Sequence, residues 1–143
     1  MPFLAAGSLA IVAGGLAAAV TGPSDWDHGS WVAAFLVLVA GVAQIGLGAA
    51  QAELAPVTPS IGFSGVECAS WNAGCLAVMV GTLRSNPLTV SVGSGLLVAG
   101  IGMSTFVVRG TGGRRLLLVL YRALLMVLVV SIPIGATLAW TRH

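Results

Sequence analysis

The sequence predicts an all-α fold, a polytopic transmembrane helix bundle with about five spanning helices, and three observations lead there. Of the 143 residues, 57% are hydrophobic and 7% are charged, whereas a soluble domain carries roughly 25% charged residues. The mean hydropathy is +1.03. The apolar residues also gather into five runs, each near the length of about 20 residues that crosses a bilayer. Six arginines and four acids cannot coat a water-facing surface, so the lipid bilayer is the expected solvent.

The first run, about 3–21, ends at Gly22-Pro23. The second covers about 31–52 and the third about 65–83, where Glu67 and Asn72 interrupt it. The fourth, about 88–108, opens at Asn86-Pro87, and proline suits the first turn of a helix. The fifth, about 116–139, carries Pro133 near its far end. The connection LAPVTPSIGFSG, with two prolines and two glycines, reads as loop or re-entrant backbone. No soluble segment interrupts the pattern, so residues 1–143 read as one integral membrane domain. No basic stretch precedes the first run, which therefore reads as a retained helix and not as a cleaved leader.

Arginine placement predicts orientation. RGTGGRR contributes Arg109, Arg114 and Arg115 and is expected to be cytoplasmic. Counting back through alternating helices puts the N-terminus in the cytoplasm of a cell with this protein in its plasma membrane. GPSDWDHGS and the C-terminal WTRH then fall outside, with Trp26, Trp31 and Trp140 as interfacial anchors. Arg84 also falls outside, against the trend. A net charge of +2 gives no reason to expect a nucleic-acid partner.

Gly41, Gln44, Gly48 and Gln51 follow one another at spacings of three, four and three and so share one helix face. An amide in hydrocarbon needs hydrogen-bond partners, so this face is expected to meet other helices or a wet cavity. It either glues helices together or lines a solute path, with Asn72 on the third helix as a facing polar group. Small residues form two further lines, Ala10-Gly14-Ala18 and Ser91-Gly95-Ala99, of the kind that lets helix backbones approach closely. The bulky fifth run suits a lipid-facing or oligomer-facing position.

Glu67 and Arg122 are the candidate intramembrane charges. An ionisable residue inside a span points to function. Arg122 either snorkels to the cytoplasmic surface, pairs with Glu67 or Glu53, or attracts an anion. Cys68 and Cys75 lie seven residues apart, about 10 Å of helical rise, beyond the roughly 7 Å that a disulfide tolerates. With Asn72 and Met79 they share a face that a soft metal ion would accept. No CxxC or histidine cluster accompanies them, and they read as buried hydrophobes; no metal and no cofactor is expected. No serine–histidine–acid set, phosphate loop or HExxH motif is present, so an enzyme is not expected.

Gly41-Val42-Ala43-Gln44-Ile45 with Gly48, then Ile61-Gly62-Phe63, Ser70-Trp71-Asn72, and Arg109-Gly110 leading through Arg115 into Leu116 onward resemble, in that order, the acetate uptake transporter family of the YaaH/SatP type. The resemblance covers about residues 29–135, and its specific part is Gly41–Gly48. It implies a ring-forming membrane protein with a path for a monocarboxylate through each protomer. The chain departs from the family pattern in opening with MPFLAAG, in lacking an intact Ser-Tyr-Gly stretch and in having five apolar runs where the family has six helices. The expected function is thus a channel or transporter for a small solute or a monocarboxylate such as acetate. The alternative is a non-transporting scaffold or accessory subunit. The expected partners are the lipid bilayer and either further copies of the chain or other membrane subunits.

Overall fold

The computed structural model describes residues 2–24, 26–110 and 115–141, all but 138, 139 and 141 in side-chain detail. Asp25 of the acidic loop, Arg114 of the basic loop, and Arg142 and His143 at the C-terminus lie outside the described residues. The described chain is helical without strands: α1 (Pro2–Ser24), α2 (Gly29–Phe35), a π-helical segment (Leu36–Ala43), α3 (Gln44–Leu54), α4 (Ile61–Leu83), α5 (Pro87–Val107) and α6 (Arg115–Thr141). α2, the π segment and α3 run on without a break as one span, so five helices of 21–26 residues are long and apolar enough to cross a membrane. At about 1.5 Å per residue these reach over 30 Å, enough for the hydrocarbon core.

The limits of these elements differ from the sequence expectation in instructive places. α1 continues through Gly22-Pro23 to Ser24. Pro23 has no N–H to bond the carbonyl four residues back, so the helix ends just beyond it, and the Ser24 hydroxyl donates to the Val20 carbonyl at 2.7 Å. α4 begins at Ile61, four residues before the predicted start, because Ser60 caps it by accepting from the Phe63 N–H at 3.2 Å. The predicted loop is shortened accordingly. α5 begins where Asn86-Pro87 predicts, with Asn86 Oδ1 accepting from the Thr89 N–H at 3.2 Å. Ser85 adopts φ 50° in the tight turn before it, and Gly110 takes φ 82° after α5, a left-handed geometry that glycine enters without strain. The π segment within the second span has no signal in the sequence.

The chain divides into two compact units, Met1–Gly48 and Ala49–His143. In the first, α1 packs antiparallel on the second span through mutual glycine contacts. A Cβ on Gly7 would stand 3.0 Å from the Gly41 carbonyl oxygen and 2.6 Å from Ile45 Cγ1. A Cβ on Gly41 would stand 2.5 Å from Ile11 Cγ1, and one on Gly14 would stand 2.9 Å from the Ala33 oxygen. The buried line on α1 is therefore Phe3, Gly7, Ala10 and Gly14. The predicted line is displaced by one turn, since Ala18 is exposed.

In the second unit, α4 and α5 form an antiparallel hairpin. A Cβ on Gly93 would stand 2.7 Å from the Val78 nitrogen and 2.8 Å from the Gly74 oxygen, and one on Gly74 would stand 3.0 Å from the Gly93 oxygen. Gly81 approaches the Val90 nitrogen in the same way, at 2.7 Å. The inner face of α5 is Val90, Gly93, Leu97, Gly100, Ile101 and Ser104, a correction to the predicted Ser91-Gly95-Ala99 line. Gly95 has nothing within 4 Å of its would-be Cβ and Ala99 is exposed. Both faces of α5 offer small residues, but Leu97 and Ile101 share one of them, and burying these beside the glycines gains dispersion contact that the other face lacks. α6 packs on α5 through Tyr121, Leu125 and Leu128, which are buried at helical spacing, while Leu116, Leu120, Met126, Val127 and Val130 are exposed.

Gly93→Val is expected to force α4 and α5 apart and destabilise the protein by about 2–3 kcal/mol. Gly95→Val, two residues away on the open face, is expected to stay within about 0.5 kcal/mol. Unfolding of the two variants in detergent micelles, followed by far-UV circular dichroism, checks this contrast, and equal effects would refute the assigned packing face.

Candidate functional site

Within the second unit, the end of α3 and the helices α4, α5 and α6 each send one polar side chain to a common point. Gln51 comes from the last turn of α3, three residues before Leu54, and Glu67 lies six residues into α4. Ser104 lies three residues before the end of α5, and Tyr121 six residues into α6. The cluster therefore sits about 5–10 Å in from the helix ends that Leu54, Ile61, Val107 and Arg115 mark, by rise per residue. The close α4–α5 crossing delivers Glu67 and Ser104 to each other: Trp71 packs against Gly100, whose would-be Cβ is 3.6 Å from Trp71 Cε3. One turn further along, the two polar side chains meet.

Glu67 is 1% exposed, and its Oε1 accepts two hydrogen bonds, one from Gln51 Nε2 at 2.6 Å and one from the Ser104 hydroxyl. The Tyr121 hydroxyl donates to the Ser104 main-chain carbonyl at 2.9 Å and also lies beside the Gln51 and Glu67 side chains. Gln51, Ser104 and Tyr121 are all buried. Two buried polar atoms here have no hydrogen-bond partner among the described residues: Glu67 Oε2 and Trp71 Nε1. They belong to side chains one turn apart on the same face of α4, and a helical side chain leans toward the N-terminus, Trp71 toward Glu67. The arrangement supplies an acidic group, three surrounding hydroxyl and amide groups, and an indole N–H in a water-poor setting. It can hold a proton, and it can accept and donate hydrogen bonds to a small polar solute.

The residues singled out in the sequence are distributed as follows. Gln51 and Glu67 come together, and the two residues that complete the cluster, Ser104 and Tyr121, were not predicted. Tyr121 is the only tyrosine in the chain, and its place in an otherwise bulky apolar run is a signal that could have drawn attention to it. Gln44 is fully buried, at 0% exposure, within the first unit. Gly41 and Gly48 are spent on packing: a Cβ on Gly48 would stand 2.6 Å from Phe3 Cβ. Asn72 does not serve as the facing group for Gln51. Its amide donates to the Cys68 carbonyl of its own helix at 2.7 Å and approaches Cys68 Sγ at 3.5 Å. Arg122 is exposed, and the hydrogen bonds that the Glu67 carboxyl accepts come from Gln51 and Ser104. Cys68 and Cys75 are free thiols, and among the described residues no cluster of histidine, cysteine or acid side chains could hold a metal ion.

Glu67→Ala strands the Gln51 and Ser104 donors and opens a hole, and is expected to destabilise by about 2–3 kcal/mol. Glu67→Gln keeps an acceptor oxygen of the same reach and is expected to cost under about 1 kcal/mol. Tyr121→Phe removes one interhelical bond, worth about 0.6–1.7 kcal/mol. Denaturation midpoints of the three variants, ranked against the parent protein, check the network; a Glu67→Ala protein as stable as Glu67→Gln would contradict it.

No family profile, curated protein or solved structure matches the chain, and its function is accordingly read from the geometry of the Glu67 cluster.

Proposed function

We propose that this chain is a membrane transporter or channel for a small solute, with Glu67 as the group that takes up and releases a proton during passage. One observation carries the reading: a carboxyl 1% exposed within a span, bound through one oxygen by Gln51 and Ser104 and unpartnered at the other among the described residues. A carboxyl inside hydrocarbon is costly, and such groups mark ion and solute pathways. A protein built only to hold helices together gains nothing from an acid that an amide could replace. Glu67 Oε2 and Trp71 Nε1 are the atoms that would meet the solute. A small monocarboxylate such as acetate fits an indole N–H donor beside a proton-bearing carboxyl, and it is also the substrate class implied by the resemblance of Gly41–Gly48 to the acetate uptake family. The arginine pattern supports a cytoplasmic N-terminus.

The second reading, a non-transporting scaffold or subunit of an oligomer, draws on a different observation. The outward face of α5 keeps Gly95 and Gly102 with nothing near their would-be Cβ positions, and Ala99 lies between them. Small residues on an open face let another helix approach closely.

Flux of labelled acetate, formate and urea into proteoliposomes under an imposed proton gradient separates the two. Gradient-driven uptake of one solute is expected, falling to the level of empty liposomes in Glu67→Gln and partly kept in Glu67→Asp. Folded protein that passes none of the solutes would leave the scaffold reading, and uptake unchanged in Glu67→Gln would remove Glu67 from the path.

A further inference from the structure

The geometry points to a binding site for the phosphate headgroup of an anionic phospholipid in the groove between α5 and α6. A cavity of about 80 Å³ opens there, lined by Thr105, Val108, Arg109, Leu118, Tyr121, Arg122 and Leu125. The lining is apolar along Val108, Leu118 and Leu125 and basic at Arg109 and Arg122, and it includes no acidic side chain. Arg109 lies two residues past the end of α5, and Arg122 lies seven residues into α6. The two arginines thus start from different depths, Arg109 in the turn after α5 and Arg122 about two turns into α6. The Arg109 guanidinium is held over the Phe106 ring, 5.7 Å from its centroid.

Charge and apolarity are arranged as a phospholipid is. A phosphate diester carries its negative charge at the interface with acyl chains directed into the hydrocarbon, and basic pockets between spanning helices suit such headgroups. Arginine forms charge-assisted, bidentate bonds to phosphate oxygens. Leu118 and Leu125, each about one turn from Tyr121 and Arg122 on the same α6 stripe, would flank the first part of an acyl chain. A zwitterionic lipid brings a compensating cation into the same groove, and no carboxylate in the lining receives it. The floor of the groove is Tyr121, whose hydroxyl is tied to Ser104 and lies beside Glu67. A bound headgroup therefore braces α6 against α5 at the buried cluster. This inference stands on the groove alone and does not depend on the transport reading.

The test is lipid retention and thermal stability of the purified protein in nanodiscs, with phosphatidylglycerol titrated into phosphatidylcholine and native mass spectrometry reporting the bound lipid. Preferential retention of phosphatidylglycerol and a raised unfolding temperature are expected. Arg109→Gln or Arg122→Gln should each weaken the preference roughly fivefold, and the double variant roughly thirtyfold, from the usual attraction per basic residue near an anionic surface. Leu118→Trp, which fills the groove without changing charge, should also abolish the preference. Inorganic phosphate and glycerol phosphate added to phosphatidylcholine nanodiscs should not reproduce the stabilisation; if they do, the site takes a soluble anion and the lipid assignment fails. Equal retention of both lipids by the parent protein, or an undiminished preference in the folded double variant, would also overturn it.

Discussion

The second unit depends on one constraint, the lack of water to pair with a buried carboxyl. Glu67 lies within a span, so whatever satisfies it must come from the protein. Gln51 and Ser104 do so through one oxygen, and Tyr121 fixes the Ser104 segment by bonding its carbonyl. Each donor arises from a different helix, so meeting this one requirement specifies how the last turn of α3 and the helices α4, α5 and α6 stand around it. Interhelical bonds in membranes are individually modest, about 0.6–1.7 kcal/mol, and a network shared by four helices acts through its geometry as much as its energy.

Glycine makes that geometry reachable. A serine hydroxyl reaches a facing glutamate only where the helix axes run close, and the reciprocal Gly74–Gly93 contact brings the α4 and α5 backbones within van der Waals reach. Trp71 against Gly100 then fills the space between that crossing and the cluster. The first unit uses the same device, with Gly7 and Gly41 approaching each other's carbonyls, but spends it on packing around a π-helical turn. Lipid tails are as apolar as leucine, so helix association in a bilayer rests on such close approach and on polar contacts. The bulky side chains are left outward, as on α6.

Much of the fold was legible in the sequence because membrane spanning is a demand on composition and length. Five apolar runs gave five helices, and Asn86-Pro87 marked the start of α5. The shift of the α4 start to Ile61 turned on a single cap by Ser60, too local a feature to read against a loop of prolines and glycines. Part of the site was also legible: an acid within a span stands out, as does a glutamine on a glycine-lined face. Ser104 does not, since serine in a spanning helix commonly bonds its own backbone, as Ser91 does to the Pro87 carbonyl. Asn72 looked equally eligible and turned out to bond within its own helix.

The sequence by itself determined that the chain belongs in lipid, how many times it can cross, and that Glu67 and Gln51 require partners. Those are properties of single segments, fixed by transfer free energies and by helical period. The tertiary structure alone decided which partners they have and which small-residue face of α5 is used. Gly93 and Gly95 differ by only two positions in one helix, yet one lies against the Val78 backbone and the other has nothing within 4 Å. Periodicity says that a face exists, but which face packs depends on the shape of the neighbouring helix, a pairwise property that no single segment carries.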